Sequence, residues 1–126
     1  MVHTLSLVAI GGAIGAVLRY LTGVGVLRLF GLTQIPLAIL TVNVLGSFLM
    51  GVFIVAAAQR GLSHLHPFVA IGLMGGFTTF SSFSLETMTL IERGAFGHAA
   101  LYIGLSVGLS VGALALGLFV ARGVFA

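Results

Sequence analysis

Gly75-Gly76-Phe77-Thr78-Thr79-Phe80-Ser81-Ser82-Phe83-Ser84 is the stretch on which the reading of this chain turns. It lies near the centre of a strongly apolar segment. Two adjacent glycines followed by five hydroxyl residues in seven positions make a poor helix. The composition therefore predicts a helix broken at the midplane of a membrane. Such a break frees backbone groups that lipid cannot satisfy, and it persists only where protein, water or an ion satisfies them. Two outcomes are open from spacing alone. Paired breaks meeting at a dimer axis would offer carbonyls to a hard cation such as Na⁺; alternatively the hydroxyls seal a simple glycine kink themselves.

The membrane assignment comes from the rest of the chain. Of 126 residues, 60% are hydrophobic and 6% charged, and mean hydropathy is +1.29. A water-soluble fold is excluded by that balance. Charge is confined to Arg19, Arg28, Arg60, Arg93 and Arg122 with Glu86 and Glu92, so a pI near 10.8 reflects scattered arginines and no nucleic-acid-binding patch. Cysteine is absent, which rules out disulfides and thiolate metal sites. Met1 to Ser6 lacks the basic start of a secretory signal, and the first apolar segment reads as a retained membrane helix.

Four runs are long enough to cross about 30 Å of hydrocarbon: approximately 5–28, 35–59, 67–91 and 97–121, forming one transmembrane domain over 1–126. Four spans place both termini on one side. Arg60 and Arg122 then face Arg28 and Arg93 across the bilayer, a balance that gives the positive-inside rule no direction. The expectation is an all-α protein inserted in both orientations and working as an antiparallel, dual-topology homodimer. A fixed orientation set by weaker cues is the alternative. Small residues four apart, Gly11/Gly15, Ser47/Gly51, Gly72/Gly76 and the ladder Gly104/Gly108/Gly112, predict close helix packing.

The polar residues inside the spans suggest a path for a small anion. Phe80 and Phe83 share a helical face beyond the break, and aromatic ring edges are electropositive. Asn43 is an amide in the middle of the second span; left unpaired in hydrocarbon it would cost on the order of a few kcal/mol, so it must face protein or a pore. Tyr102, Ser106 and Ser110 form a hydroxyl stripe opposite the glycine ladder, either lining a path or joining helices. Arg19 and Glu86 fall well inside spans, as vestibule residues or as a pair, or with Arg19 snorkelling to the headgroups. His3, His64, His66 and His98 sit at span ends or loops, and Gly11-Gly12-Ala13-Ile14-Gly15 is a packing motif without the strand or acidic partner of a nucleotide site.

These residues resemble the Fluc (CrcB) family of fluoride channels over essentially the whole chain. The marks are Gly75 through Glu86, the segment from Asn43 to Gly46-Ser47, and Gly11-Gly12 through Arg19-Tyr20. The resemblance implies a non-enzymatic, fluoride-specific channel in the bacterial inner membrane, lowering cytoplasmic fluoride by passive electrogenic efflux. It implies an antiparallel homodimer with two pores and a central structural Na⁺ that is not transported. By the same resemblance, the Gly75 and Thr78 carbonyls of both subunits hold Na⁺, and Phe80 and Phe83 line the pores. Asn43 donates to the ion, and Tyr102, Ser106 and Ser110 form a polar track. Leu114 departs from the family pattern at the next position of that track. A proton-coupled exporter of the small multidrug type would need a carboxylate in its first span, and this chain has none there. A membrane scaffold would leave the buried polar groups without a common purpose.

Overall fold

The computed structural model describes residues 1–126 and is helical throughout. Helix α1 spans Val2–Phe30 and α2 spans Leu37–Arg60. A short 3₁₀ turn, Ser63–Leu65, leads into a π-helical stretch, Pro67–Met74, that passes into a single α-helical turn, α3, Gly75–Phe77. Helix α4 covers Phe80–Glu92 and α5 covers Phe96–Phe125. Four helical segments, Val2–Phe30, Leu37–Arg60, Ser63–Glu92 and Phe96–Phe125, are long and apolar enough to cross a membrane. Three of them outrun the expected spans by one to four residues at each end, while Leu37–Arg60 starts two residues later and ends one later than expected, because the helices stop at backbone signals and not where hydropathy falls. Gly31, Gly61 and Gly94 take positive φ just after α1, α2 and α4, a conformation that ends a helix and that glycine adopts without steric cost.

The four segments pack as two parallel pairs. A Cβ added at Gly15 would lie 2.8 Å from Phe77 N, and one at Gly72 would lie 2.8 Å from Val8 O. Residue numbers thus rise together along α1 and the third segment, whose backbones touch where glycine removes the side chain. The expected pairs Gly11/Gly15 and Gly72/Gly76 therefore face one another across one contact. Helices α2 and α5 meet in the same way: a Cβ at Gly51 would lie 3.0 Å from Leu118 N, and one at Gly117 would lie 3.1 Å from Val52 N. At the end of this pair the Arg60 guanidinium lies over the Phe125 ring, 5.5 Å from its centroid.

Within its own chain, helix α5 does not pack through its glycine ladder. The ladder Gly104/Gly108/Gly112 was expected to pack, with the hydroxyl stripe on the opposite face. Within the chain the ladder is exposed and faces nothing, whereas the stripe points inward and Tyr102 is 0% exposed. The reason is that Gly117, one turn beyond the ladder and off its face, sets the approach to Gly51. That same contact brings Leu114 against Gly51, so position 114 belongs to helix packing and does not extend the hydroxyl track. Leu40, Leu90, Ala99 and Tyr102 form a small buried cluster between α2, α4 and α5. Large apolar side chains such as Leu21, Leu29, Val111 and Phe119 remain exposed, the surface expected of helices surrounded by lipid or by another subunit.

Candidate functional site

Helical geometry stops at Thr78 (φ −87°, ψ 159°) and Thr79 (φ −152°, ψ 117°), both extended, and resumes at Phe80. The backbone groups released there can be followed one by one. Thr78 closes the preceding turn: its N–H donates to Met74 O at 3.0 Å and its hydroxyl to the same carbonyl at 2.9 Å. Thr79 is held by Asn43. The Thr79 N–H donates to Asn43 Oδ1 at 2.8 Å, and Asn43 Nδ2 donates back to Thr79 O at 3.1 Å, so the carboxamide pairs with the extended residue much as a neighbouring strand would. Thr79 also caps α4, its Oγ1 accepting from Ser82 N at 3.1 Å. On the other side of the interruption Arg19 Nε donates to Gly76 O at 3.1 Å.

This arrangement gives Asn43 a role that its residue type alone did not reveal. It is a splint for the interruption, and only one of its two amide hydrogens remains for a ligand. Two carbonyls are left over by the same diversions. The donor that would close the next turn on Gly75 O is Thr79 N, which goes to Asn43. The donor that would close it on Thr78 O is Ser82 N, which goes to the Thr79 hydroxyl.

Beside the interruption lies a groove of about 300 Å³. Asn43, Phe80, Phe83, Ser106 and Ser110, all anticipated, line it together with Ser47, Thr78 and Thr79. Tyr102 is not in the groove wall but sits behind it, its ring 5.2 Å from that of Phe83, which is itself 5.5 Å from Phe80. The hydroxyls of Tyr102, Ser106 and Ser110 are buried and have no hydrogen-bond partner. Three hydroxyls in line on one helix face thus lack an internal partner, in a protein that satisfies its other buried polar groups. Phe80, by contrast, is 78% exposed on the single chain.

Arg19 and Glu86 do not come together. Glu86 lines a separate cavity of about 350 Å³ near the far end of α4, with Thr33, Gln34 and Arg93. No ion pair joins it to Arg19, whose Nε is engaged at Gly76. Sequence reasoning missed Ser47 and left open which of Thr79, Ser81, Ser82 and Ser84 faces the path. Ser47 stands four residues after Asn43 and hence on the same face of α2, a signal available in the spacing. Of the hydroxyls beyond the break, Thr79 reaches the groove, whereas Ser84 bonds back to Phe80 O at 3.0 Å.

Comparison with known proteins places the chain. The family model described as CrcB-like protein, Camphor Resistance (CrcB), matches residues 6–118. The chain belongs to the CrcB family. Among its relatives, a protein of Ruegeria sp. (strain TM1040) named fluoride-specific ion channel FluC is 65% identical over 124 residues, covering 98% of each chain. A Jannaschia sp. (strain CCS1) protein of the same name is 68% identical over 104 residues, 79% of this chain and 99% of the relative. One from Caulobacter vibrioides (strain NA1000 / CB15N) is 49% identical over 127 residues, 98% of this chain and 99% of the relative. With four apolar helices and CrcB membership, the protein is a multi-pass membrane protein.

Proposed function

We propose that this CrcB protein is one subunit of a fluoride-selective channel that lets the anion leave the cell passively and electrogenically, without enzymatic chemistry. The observation that carries the reading is the buried line of unpartnered hydroxyls at Tyr102, Ser106 and Ser110 beside Phe80 and Phe83. Hydroxyl donors and electropositive ring edges suit a small, hard anion that has shed its water, and a narrow path of fixed donors disfavours larger halides. The name shared by its relatives supports the same ion. Hydrogen fluoride crosses lipid as a neutral acid and ionises in a more alkaline cytoplasm. An inside-negative potential then drives each fluoride outward by about 2.3 kcal/mol per 100 mV, so neither ATP nor a coupled ion is needed.

The working unit in this reading is an antiparallel, dual-topology homodimer in the bacterial inner membrane, with the interruption at Thr78–Thr79 lying at the bilayer midplane. Three features support it: balanced arginines, a phenylalanine left 78% exposed by its own chain, and an unpacked ladder at Gly104, Gly108 and Gly112. Gly75 O and Thr78 O, both deprived of their helical donors, fit a structural Na⁺ shared between two subunits. When bound, that ion would supply fixed positive charge and a tie between subunits. The chain's own part is to hold the two carbonyls out of the helix.

Purified protein in liposomes loaded with fluoride or chloride tests the function, with efflux followed by ion-selective electrodes under a potassium ionophore. Rapid fluoride release without chloride release is expected; equal loss of both ions, or of neither, sinks the proposal. Phe80→Ile is expected to lower fluoride flux while leaving assembly intact. Orientation is tested separately with C-terminal reporters active on only one side of the membrane, and signal from a single side excludes dual topology.

A further inference from the structure

Arg19 is the one charged side chain that reaches the interruption, and it does so in an unusual way. It lies four residues after Gly15 and seven after Gly12, on the face where α1 presses its backbone against the third segment. From there Nε, the nitrogen nearest the stem, donates to Gly76 O at 3.1 Å. The terminal nitrogens make no hydrogen bond within the chain. Gly76 O is one of the carbonyls that would otherwise bond to the first turn of α4. Asn43 holds Thr79 on the far side of the same interruption. The two side chains therefore grip the non-helical link from both ends.

We propose that Arg19 is a positioning residue: its Nε–H takes the Gly76 carbonyl out of the set facing the subunit axis and fixes the link so that Gly75 O and Thr78 O stay presented to a cation. This rests on the cation reading given above, and it assigns the work to a hydrogen-bond donor at one place on the side chain and not to the positive charge. A positive charge close to a cation site is, if anything, unfavourable to the ion. The placement of a half-buried charged residue here is then explained by geometry, since the arginine stem is long enough to carry Nε from α1 to the third segment.

Two substitutions separate donor from charge. Glutamine carries its amide nitrogen at the same place along the side chain as arginine carries Nε, so Arg19→Gln keeps the donor and removes the charge. Lysine has a methylene there and its nitrogen one bond further out, so Arg19→Lys keeps the charge and removes the donor. The full-length wild type and both variants are compared by thermal unfolding in detergent across a sodium titration against potassium. Hydrogen–deuterium exchange over Phe77–Ser82 and fluoride efflux from liposomes complete the set. Groups that orient a metal ligand typically matter by about 10- to 100-fold, so Arg19→Lys is expected to raise the half-saturating sodium concentration at least tenfold and to speed exchange at Thr79, while Arg19→Gln stays within about threefold of wild type. The reverse pattern would show that charge is what counts and overturn the proposal. So would both variants behaving as wild type, or both failing alike. Should the wild type not respond to sodium, the cation reading fails, yet exchange at Thr79 still decides whether the Nε donor fixes the link. Absence of fluoride flux in the wild type would defeat the channel reading alone.

Discussion

Replacing Asn43 with leucine removes the splint while keeping the number and branching of side-chain heavy atoms, and its effect can be worked from two hydrogen bonds. Thr79 N–H to Oδ1 at 2.8 Å and Nδ2 to Thr79 O at 3.1 Å are both lost. Each stranded buried backbone group costs about 1–3 kcal/mol, which puts ~2–6 kcal/mol against the extended conformation of Thr79. The chain has a remedy: Thr79 N–H can turn back to Gly75 O and the interruption can wind into helix. The lower end of that range already shifts the balance toward the wound form by about thirtyfold.

Winding would return Gly75 O to the helical hydrogen-bond ladder and move Thr79 out of the groove wall it forms with Ser106 and Ser110. Asn43→Leu is therefore expected to abolish fluoride efflux and to change exchange at the Thr79 amide, while the protein still elutes as a folded species because α1 and α5 are packed independently through their glycines. Asn43→Asp keeps one acceptor for Thr79 N–H but turns a second oxygen toward Thr79 O, and it is expected to lose flux as well. Efflux within threefold of wild type in Asn43→Leu, with Thr79 exchange unchanged, would refute the assignment of Asn43 as the splint.

Three further outcomes are expected. Ser106→Ala and Ser110→Ala remove hydroxyls without internal partners, so thermal stability should stay level or rise by about 0–1 kcal/mol, whereas losing one hydrogen bond to a charged ligand should lower ion occupancy by about 10- to 150-fold. Unfolding curves and efflux on the same samples would expose any coupling of the two effects. Gly15→Val places side-chain atoms where a Cβ alone would lie 2.8 Å from Phe77 N, and should destabilise the fold by ~1–3 kcal/mol or more in thermal unfolding. Gly108→Ala meets open space within the chain, so its unfolding should be unaffected or improved while the dimer, followed by size exclusion on dilution, weakens.

What could be read ahead of the structure followed from energies that lipid makes large. Spans, turns and the helix-breaking stretch are visible because unpaired backbone and charge are costly in hydrocarbon, so few residue patterns are permitted there. That Gly11/Gly15 and Gly72/Gly76 each serve close packing was legible from their spacing, although not that the two pairs meet each other. The facing of α5 was not, since its glycine ladder and its hydroxyl stripe are both acceptable interior faces and the choice between them lies with a third position, Gly117 against Gly51. Nor does anything in Pro67–Met74 announce π-helical winding, because an all-apolar run offers no polar face from which a period can be measured. Asn43 was correctly placed inside the protein. That it pairs with Thr79 depends on the register of α2 against the third segment, which a single sequence does not encode locally.

Seven polar side chains at and beside the interruption separate into two groups once their hydrogen bonds are followed. Arg19, Asn43, Thr78 and Thr79 are partnered within the chain, and every one of those bonds maintains the interruption of the third segment. Tyr102, Ser106 and Ser110 are partnered by nothing, although burial makes an unsatisfied hydroxyl unfavourable. If all seven served stability alone, the second group would have been better replaced by alanine and phenylalanine. The first group therefore builds the architecture, and the second is left with free hydroxyls, as the proposed ion path requires. Asn43, Thr78 and Thr79 of the first group share one groove with Ser106 and Ser110 of the second, so on the proposed reading damage to the splint must reach the path while damage to the path need not reach the fold.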